Sequence, residues 1–135
     1  MFSNQFEMAA AHRLLGEWNV NPLASKIIFQ LLAAVPIPTE HAEVVVPLGP
    51  FCAFLVLPAP TLPHIRSALL EAGKVRTVMH GSRFEKASIL EQSRLYGEGK
   101  FVGFVVNAAF TTAVRERGRQ LALEESREFR PSVLH

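Results

Sequence analysis

Aspartate is absent from this sequence, while glutamate occurs twelve times. Calcium loops and two-metal nuclease sites draw on the short aspartate carboxylate for tight coordination, so metal chemistry is disfavoured. Cysteine occurs once, at Cys52, which rules out an internal disulfide and a multi-thiolate metal site. Its setting in FCAFLVL marks a buried structural thiol. His12, His41, His64 and His135 are scattered and form no HxH, HxxxH or HExxH pattern. No serine sits in a G-x-S-x-G elbow, and without aspartate a triad would have to end in glutamate. Gly97-x-Gly99 lacks the third glycine, the following helix and the Lys-Ser/Thr pair of a phosphate loop. No cofactor and no metal are expected.

A membrane-spanning apolar run is also missing. The stretch from Ala42 to His64 is nearly uncharged, but Pro47, Pro50, Pro58, Pro60 and Pro63 would break a spanning helix. The first residues carry Glu7 and no basic n-region, so no signal peptide is expected. Hydrophobic residues make up 49% and charged residues 19%, enough apolar material for a core and too little charge for disorder. These features predict one α+β domain over residues 1–135, cytoplasmic and without membrane contact, with a flexible tail after about 130.

The pattern along the chain supports that class. Residues 3–15 predict an amphipathic helix, with Phe2, Phe6, Ala10 and Leu14 at four-residue spacing and Gly16 as the expected stop. Asn21-Pro22 opens a second helix with a capping side chain and proline at the first helical position. That helix is apolar on most sides and must end near Val35, before Pro36 and Pro38. AEVVVPLGPFCAFLVL predicts two strands. Pro47 places the first at a sheet edge, and residues 51–57 form the central second one, packed on the helix at 22–35.

A short helix at 63–72 is expected to turn Ile65 and Leu69 inward and to end at Gly73. KVRTVMH predicts a third strand. Lys86 to Val106 predicts a hairpin turning at Gly97-Glu98-Gly99, with the first arm, 86–95, open between strand and helix. Thr111 or Thr112 is the expected cap of a C-terminal amphipathic helix. The expected fold is an antiparallel sheet of roughly four or five strands against a buried helix from the N-terminal half.

Charge is uneven. Residues 1–65 hold two Lys/Arg and four Glu, residues 66–119 ten and five, and residues 120–135 two and three. MHGSRFEK, at 79–86, concentrates His80, Arg83, Glu85 and Lys86 directly after a predicted strand, where loops commonly carry function. Arg83 suits bidentate contact with an anion, and a converging His80 and Glu85 would form a base and its orienting group. The plain reading of the same segment is a polar turn between strands.

The last helix, AVRERGRQLALEESREFR at 113–130, places Arg115, Arg117 and Arg119 before Glu124, Glu125 and Glu128. A macrodipole favours the reverse order. Two copies packed antiparallel would set each arginine half against the other's glutamates. These residues predict a small regulatory or complex-building protein that associates with itself or another protein, preferentially as a homodimer and without enzymatic activity. The alternatives are a nucleic-acid-associated protein with an arginine-rich surface and a small Glu/His hydrolase or nuclease centred on 80–86.

Overall fold

A computed structural model describes residues 1–35, 42–48, 62–80 and 82–129 of the chain. The first helix, α1 (Gln5–Glu17), is capped by Asn4, whose side chain accepts from the Glu7 N–H at 2.9 Å. The Glu7 carboxylate accepts in turn from the Ser3 N–H at 3.1 Å, so the helix entry is tied twice. Gly16 does not stop the helix. Asn19 does, with a φ of 59°. Its N–H reaches the Gly16 carbonyl and the Val20 N–H reaches the Leu15 carbonyl, both at 3.0 Å. Those bonds satisfy terminal acceptors, and asparagine tolerates the left-handed conformation they require.

The second helix, α2 (Pro22–Ala34), starts where Asn21-Pro22 predicts. The Asn21 side chain accepts from the Ala24 N–H at 2.8 Å. Ala24, Ile27, Ile28, Leu31 and Leu32 are buried, so the helix forms the centre of the core. It packs against α1 and against α3 (Leu62–Gly73), which buries Ile65, Ala68, Leu69 and Ala72. The strand expected at 51–57, with Cys52, lies outside the described residues.

Among the described residues, five strands follow the expected α+β class but divide into two groups. β1 (Val44–Pro47), β4 (Leu90–Tyr96) and β5 (Phe101–Val106) form an antiparallel sheet in the order β1-β5-β4. Among the described residues, proline-bearing β1 is at the edge, as a missing ladder donor demands. β2 (Arg76–His80) and β3 (Arg83–Ala87) form a separate hairpin. The residues at 86–95 are therefore strand, interrupted by a buried step. Ser88 and Ile89 are both buried there. Ile89 donates its N–H to the Ala72 carbonyl at 3.0 Å and accepts from the Asn107 N–H at 2.9 Å. Those two bonds draw the chain out of one ladder before the next begins. The turn at Gly97, Glu98 and Gly99 is as expected, with φ of 57°, 57° and 87°.

The C-terminal helix, α4 (Ala108–Phe129), begins earlier than Thr111 or Thr112. Asn107, directly after β5, accepts the Ala109 N–H on its side chain at 3.0 Å. Its carbonyl takes the N–H groups of Phe110 and Thr111, each at 3.1 Å. Asparagine is the better cap, and Thr111 turns its hydroxyl back to the Asn107 carbonyl at 3.4 Å instead. Trp18, just past α1, meets Phe110 edge-to-face at 5.1 Å, while Glu7 in the first turn of α1 lies against Gly118. The two helices thus run in opposite senses along one another.

Candidate functional site

The β2–β3 hairpin is where most of the sequence-predicted site residues fall. Its register pairs Arg76 with Ala87, Thr77 with Lys86, Val78 with Glu85, Met79 with Phe84 and His80 with Arg83. Paired residues share a face and successive residues alternate, so the ribbon has two distinct sides. Val78 and Ala87, 7% and 6% exposed, define the side turned to the core. The other side carries Thr77, Met79, Phe84 and Lys86, with Val75 continuing it one step before β2.

That outer side is apolar where a surface is usually polar. Met79 is 65% exposed, Phe84 70% and Val75 69%. Alternation places all three on one face, which turns scattered exposure into a patch. Nothing in the sequence reading singled out Met79 or Phe84. The signal was present, since two residues, Gly-Ser, separate two stretches of alternating side chains.

The polar residues of 80–86 are divided between the two sides of the ribbon. Arg83 and Glu85 belong to one side of the ribbon by register, Lys86 to the other, and all three side chains are exposed. His80 stands opposite Arg83, not Glu85. A groove of about 250 Å³ does lie nearby in sequence, between Leu69, Gly73 and Lys74 of the α3 end and residues 90–93. None of the predicted site residues lines it. Among the described residues no group of three His, Cys, Asp or Glu side chains is placed to hold a metal. No helix among them is long and apolar enough to cross a membrane.

Arg115, Arg117 and Arg119 sit on α4, but the helix does not present them as one basic patch. Arg117 donates from Nη1 and Nη2 to the two carboxylate oxygens of Glu17, at 2.8 and 2.9 Å. That partner, Glu17 on α1, holds the Arg117 guanidinium above its ordinary pKa. Arg115 is half-buried and Arg119 exposed. Val114 and Gly118 are buried. At Gly118 an added Cβ would stand 2.9 Å from the Glu7 Cγ and 3.2 Å from its Cα. That side of the helix faces α1 of the same chain. At the arginine end the reversed charge order loses its force, because α4 starts at Ala108 and places Arg115 about two turns inside, beyond the reach of the end dipole. The last turn carries Arg127, which suits a helix C-terminus.

A second polar cluster escaped sequence reading. Glu43, just before β1, accepts from the Tyr96 hydroxyl at 2.7 and 2.9 Å and from the Arg94 Nε at 3.0 Å. The Arg94 guanidinium lies 4.8 Å from the Tyr96 ring centroid. Between these outer strands, Gly103 of β5 pairs with Arg94 on one side and Val45 on the other. A Cβ there would stand 2.6 Å from Tyr96 Cε2, so the missing side chain makes room for the clasp. The Tyr96 hydroxyl, and next the Arg94 guanidinium, hold the Glu43 carboxyl below its ordinary pKa. The same bond to Glu43 raises that of Tyr96. These bonds run from the residue before β1 to two residues of β4, which makes the cluster a clasp between the two strands.

Comparison of the chain with family models, with curated proteins and with solved structures finds no match.

Proposed function

We propose that this protein is a non-enzymatic binding protein that builds a complex by associating with a second copy of itself through the outer face of the β2–β3 hairpin. The observation that carries this reading is the exposure of Met79 and Phe84, directly opposite one another on a ribbon that projects its whole outer side to solvent. Covering a Met or Phe side chain contributes about 1.5–3 kcal/mol. Four such side chains across two copies would supply about 6–12 kcal/mol when fully covered, against an association cost of about 4–15 kcal/mol, which leaves little surplus. The complex is therefore reversible and concentration-dependent, as suits a regulatory protein.

The arginines give a nucleic-acid role less support. Arg76 donates to the Glu71 carbonyl and carboxylate at 2.8 and 2.7 Å, Arg94 serves Glu43, and Arg117 serves Glu17. Arg83 and Lys86, on opposite sides of the hairpin, do not form a track for a phosphate backbone. A hydrolase centred on 80–86 would have Arg83, Glu85 and Lys86 all exposed, with Lys86 on the opposite side of the ribbon from the other two. The test is the oligomeric state of the wild type beside Met79→Ser/Phe84→Ser. A concentration-dependent dimer that the double substitution disperses supports the reading. A dimer unaffected by it removes the hairpin from the interface.

A further inference from the structure

The hairpin offers an open strand edge as well as an apolar face. β3 pairs with β2 on one side, and among the described residues no strand pairs with its other side. Because His80 opposes Arg83, two residues connect the strands. A two-residue connection closes on a pair that exchanges both backbone hydrogen bonds, and the ladder alternates from there. Arg83 and Glu85 accordingly direct their N–H and C=O groups toward β2. Phe84 and Lys86 direct theirs outward, to the open edge.

We infer that β3 of one copy pairs antiparallel with β3 of a second copy about a two-fold axis at Phe84. The inference rests on the reading of the hairpin as the self-association surface and fixes its register. With the axis at Phe84, the outward backbone groups of this residue exchange hydrogen bonds with those of its counterpart. Arg83 then stands opposite Glu85 of the second copy, and Glu85 opposite the other Arg83. Lys86 faces Ser82. The Arg-Phe-Glu triplet is its own complement.

Neighbouring axes fail on charge. An axis at Arg83 sets arginine against arginine, one at Glu85 sets glutamate against glutamate, and one at Lys86 sets lysine against lysine. Like charges directly opposite destabilise a ladder, whereas opposite charges support it. Of these four axes, only the one at Phe84 sets opposite charges against one another.

The same pairing explains the apolar face. Met79, Phe84, the second Phe84 and the second Met79 fall in one row across four strands. A two-stranded ribbon is marginal by itself, and its free edge invites addition of a strand. Joined at β3, two hairpins become one four-stranded sheet with that edge closed.

Charge reversal tests the register on the intact chain. Wild type, Arg83→Glu, Glu85→Arg and the double reversal are compared by sedimentation equilibrium, with far-UV circular dichroism confirming that each retains the fold. All substituted side chains are exposed, so the hairpin should form in every variant. Each single reversal should raise the dimer Kd at least about tenfold, because both opposed pairs become like-charged. The double reversal should return the Kd to within about threefold of wild type. Single reversals as tight as wild type, or a double reversal no tighter than the singles, overturn the Phe84 register. If Met79→Ser/Phe84→Ser still disperses the wild-type dimer in that case, the hairpin interface stands without this pairing. A wild-type monomer removes both.

Discussion

Glu17, at the end of α1, accepts both terminal nitrogens of Arg117, a residue one hundred positions further along the chain. The pair joins the first and last helices on a partly exposed surface, with the two side chains 30% and 49% accessible. Exposure limits its value. Bidentate geometry places the contribution near the upper end of surface pairs, about 0.5–1 kcal/mol. A double-mutant cycle of Glu17→Gln and Arg117→Met, followed by urea unfolding, should return a coupling energy in that range. A coupling near zero would show that the contact adds nothing to stability.

The approach of α1 to α4 gives a larger effect. Glycine inside a helix costs about 1 kcal/mol relative to alanine, so Gly118→Ala would stabilise an open helix. Here the added methyl group meets Glu7, including backbone atoms at 3.2 Å that cannot swing away. Gly118→Ala should therefore destabilise by about 1–3 kcal/mol. A lowered urea midpoint with unchanged slope is the expected result. A raised midpoint would mean that the helices do not touch at Gly118.

Ile27 and Leu31 of α2 are 0% and 1% exposed in the centre of the core. Truncation of either to alanine should cost about 2–5 kcal/mol through lost transfer energy and the cavity left behind. Denaturant unfolding measures this directly, and a cost below about 1 kcal/mol would contradict their burial.

The Glu43 clasp predicts a pH dependence. The carboxyl has its folded pKa lowered below the ordinary 4.5, first by the Tyr96 hydrogen bond and then by Arg94. A lowered acid contributes stability that is complete above the unfolded value and lost as pH falls through the folded one. Tyr96 is raised above its ordinary 10.0 by Glu43, so its share is complete below that value and lost as pH rises through the folded one. In Tyr96→Phe, the Glu43 carboxyl should titrate at higher pH by carboxyl-detected NMR. An unchanged titration would contradict the clasp.

Local chemistry made part of this fold legible. Asn21-Pro22 carries both a cap acceptor and a residue without a donor, so one dipeptide fixes the start of α2. Pro47 cannot serve a ladder on both sides, which identified the edge strand. Gly73 and the turn at 97–99 were readable for similar reasons. The step at Ser88-Ile89 was not, because its hydrogen bonds come from Ala72 and Asn107, neither of which is near in sequence. That step separates two strands where periodicity left helix and strand equally open.

The site residues were less legible than the elements. His80, Arg83, Glu85 and Lys86 are adjacent along the chain, but alternation splits the lysine from the arginine and glutamate. A reading that treated the segment as a loop had no reason to separate them. The charge order of α4 suggested an external partner only while the helix was taken to start at Thr112. With Asn107 as cap, the arginines move inward and Arg117 finds its carboxylate on α1. Glu43 and its partners lie more than fifty positions apart, and the sole hint was Gly103 within a strand.

The central claim is that the chain associates with itself through the hairpin face. Sedimentation velocity over a hundredfold range of concentration, run on wild type and on Met79→Ser/Phe84→Ser, tests it most directly. Wild type should shift from monomer to dimer as concentration rises, while the double variant stays monomeric with the same circular dichroism spectrum. A wild type that remains monomeric throughout, or a variant that dimerises equally well, would contradict it.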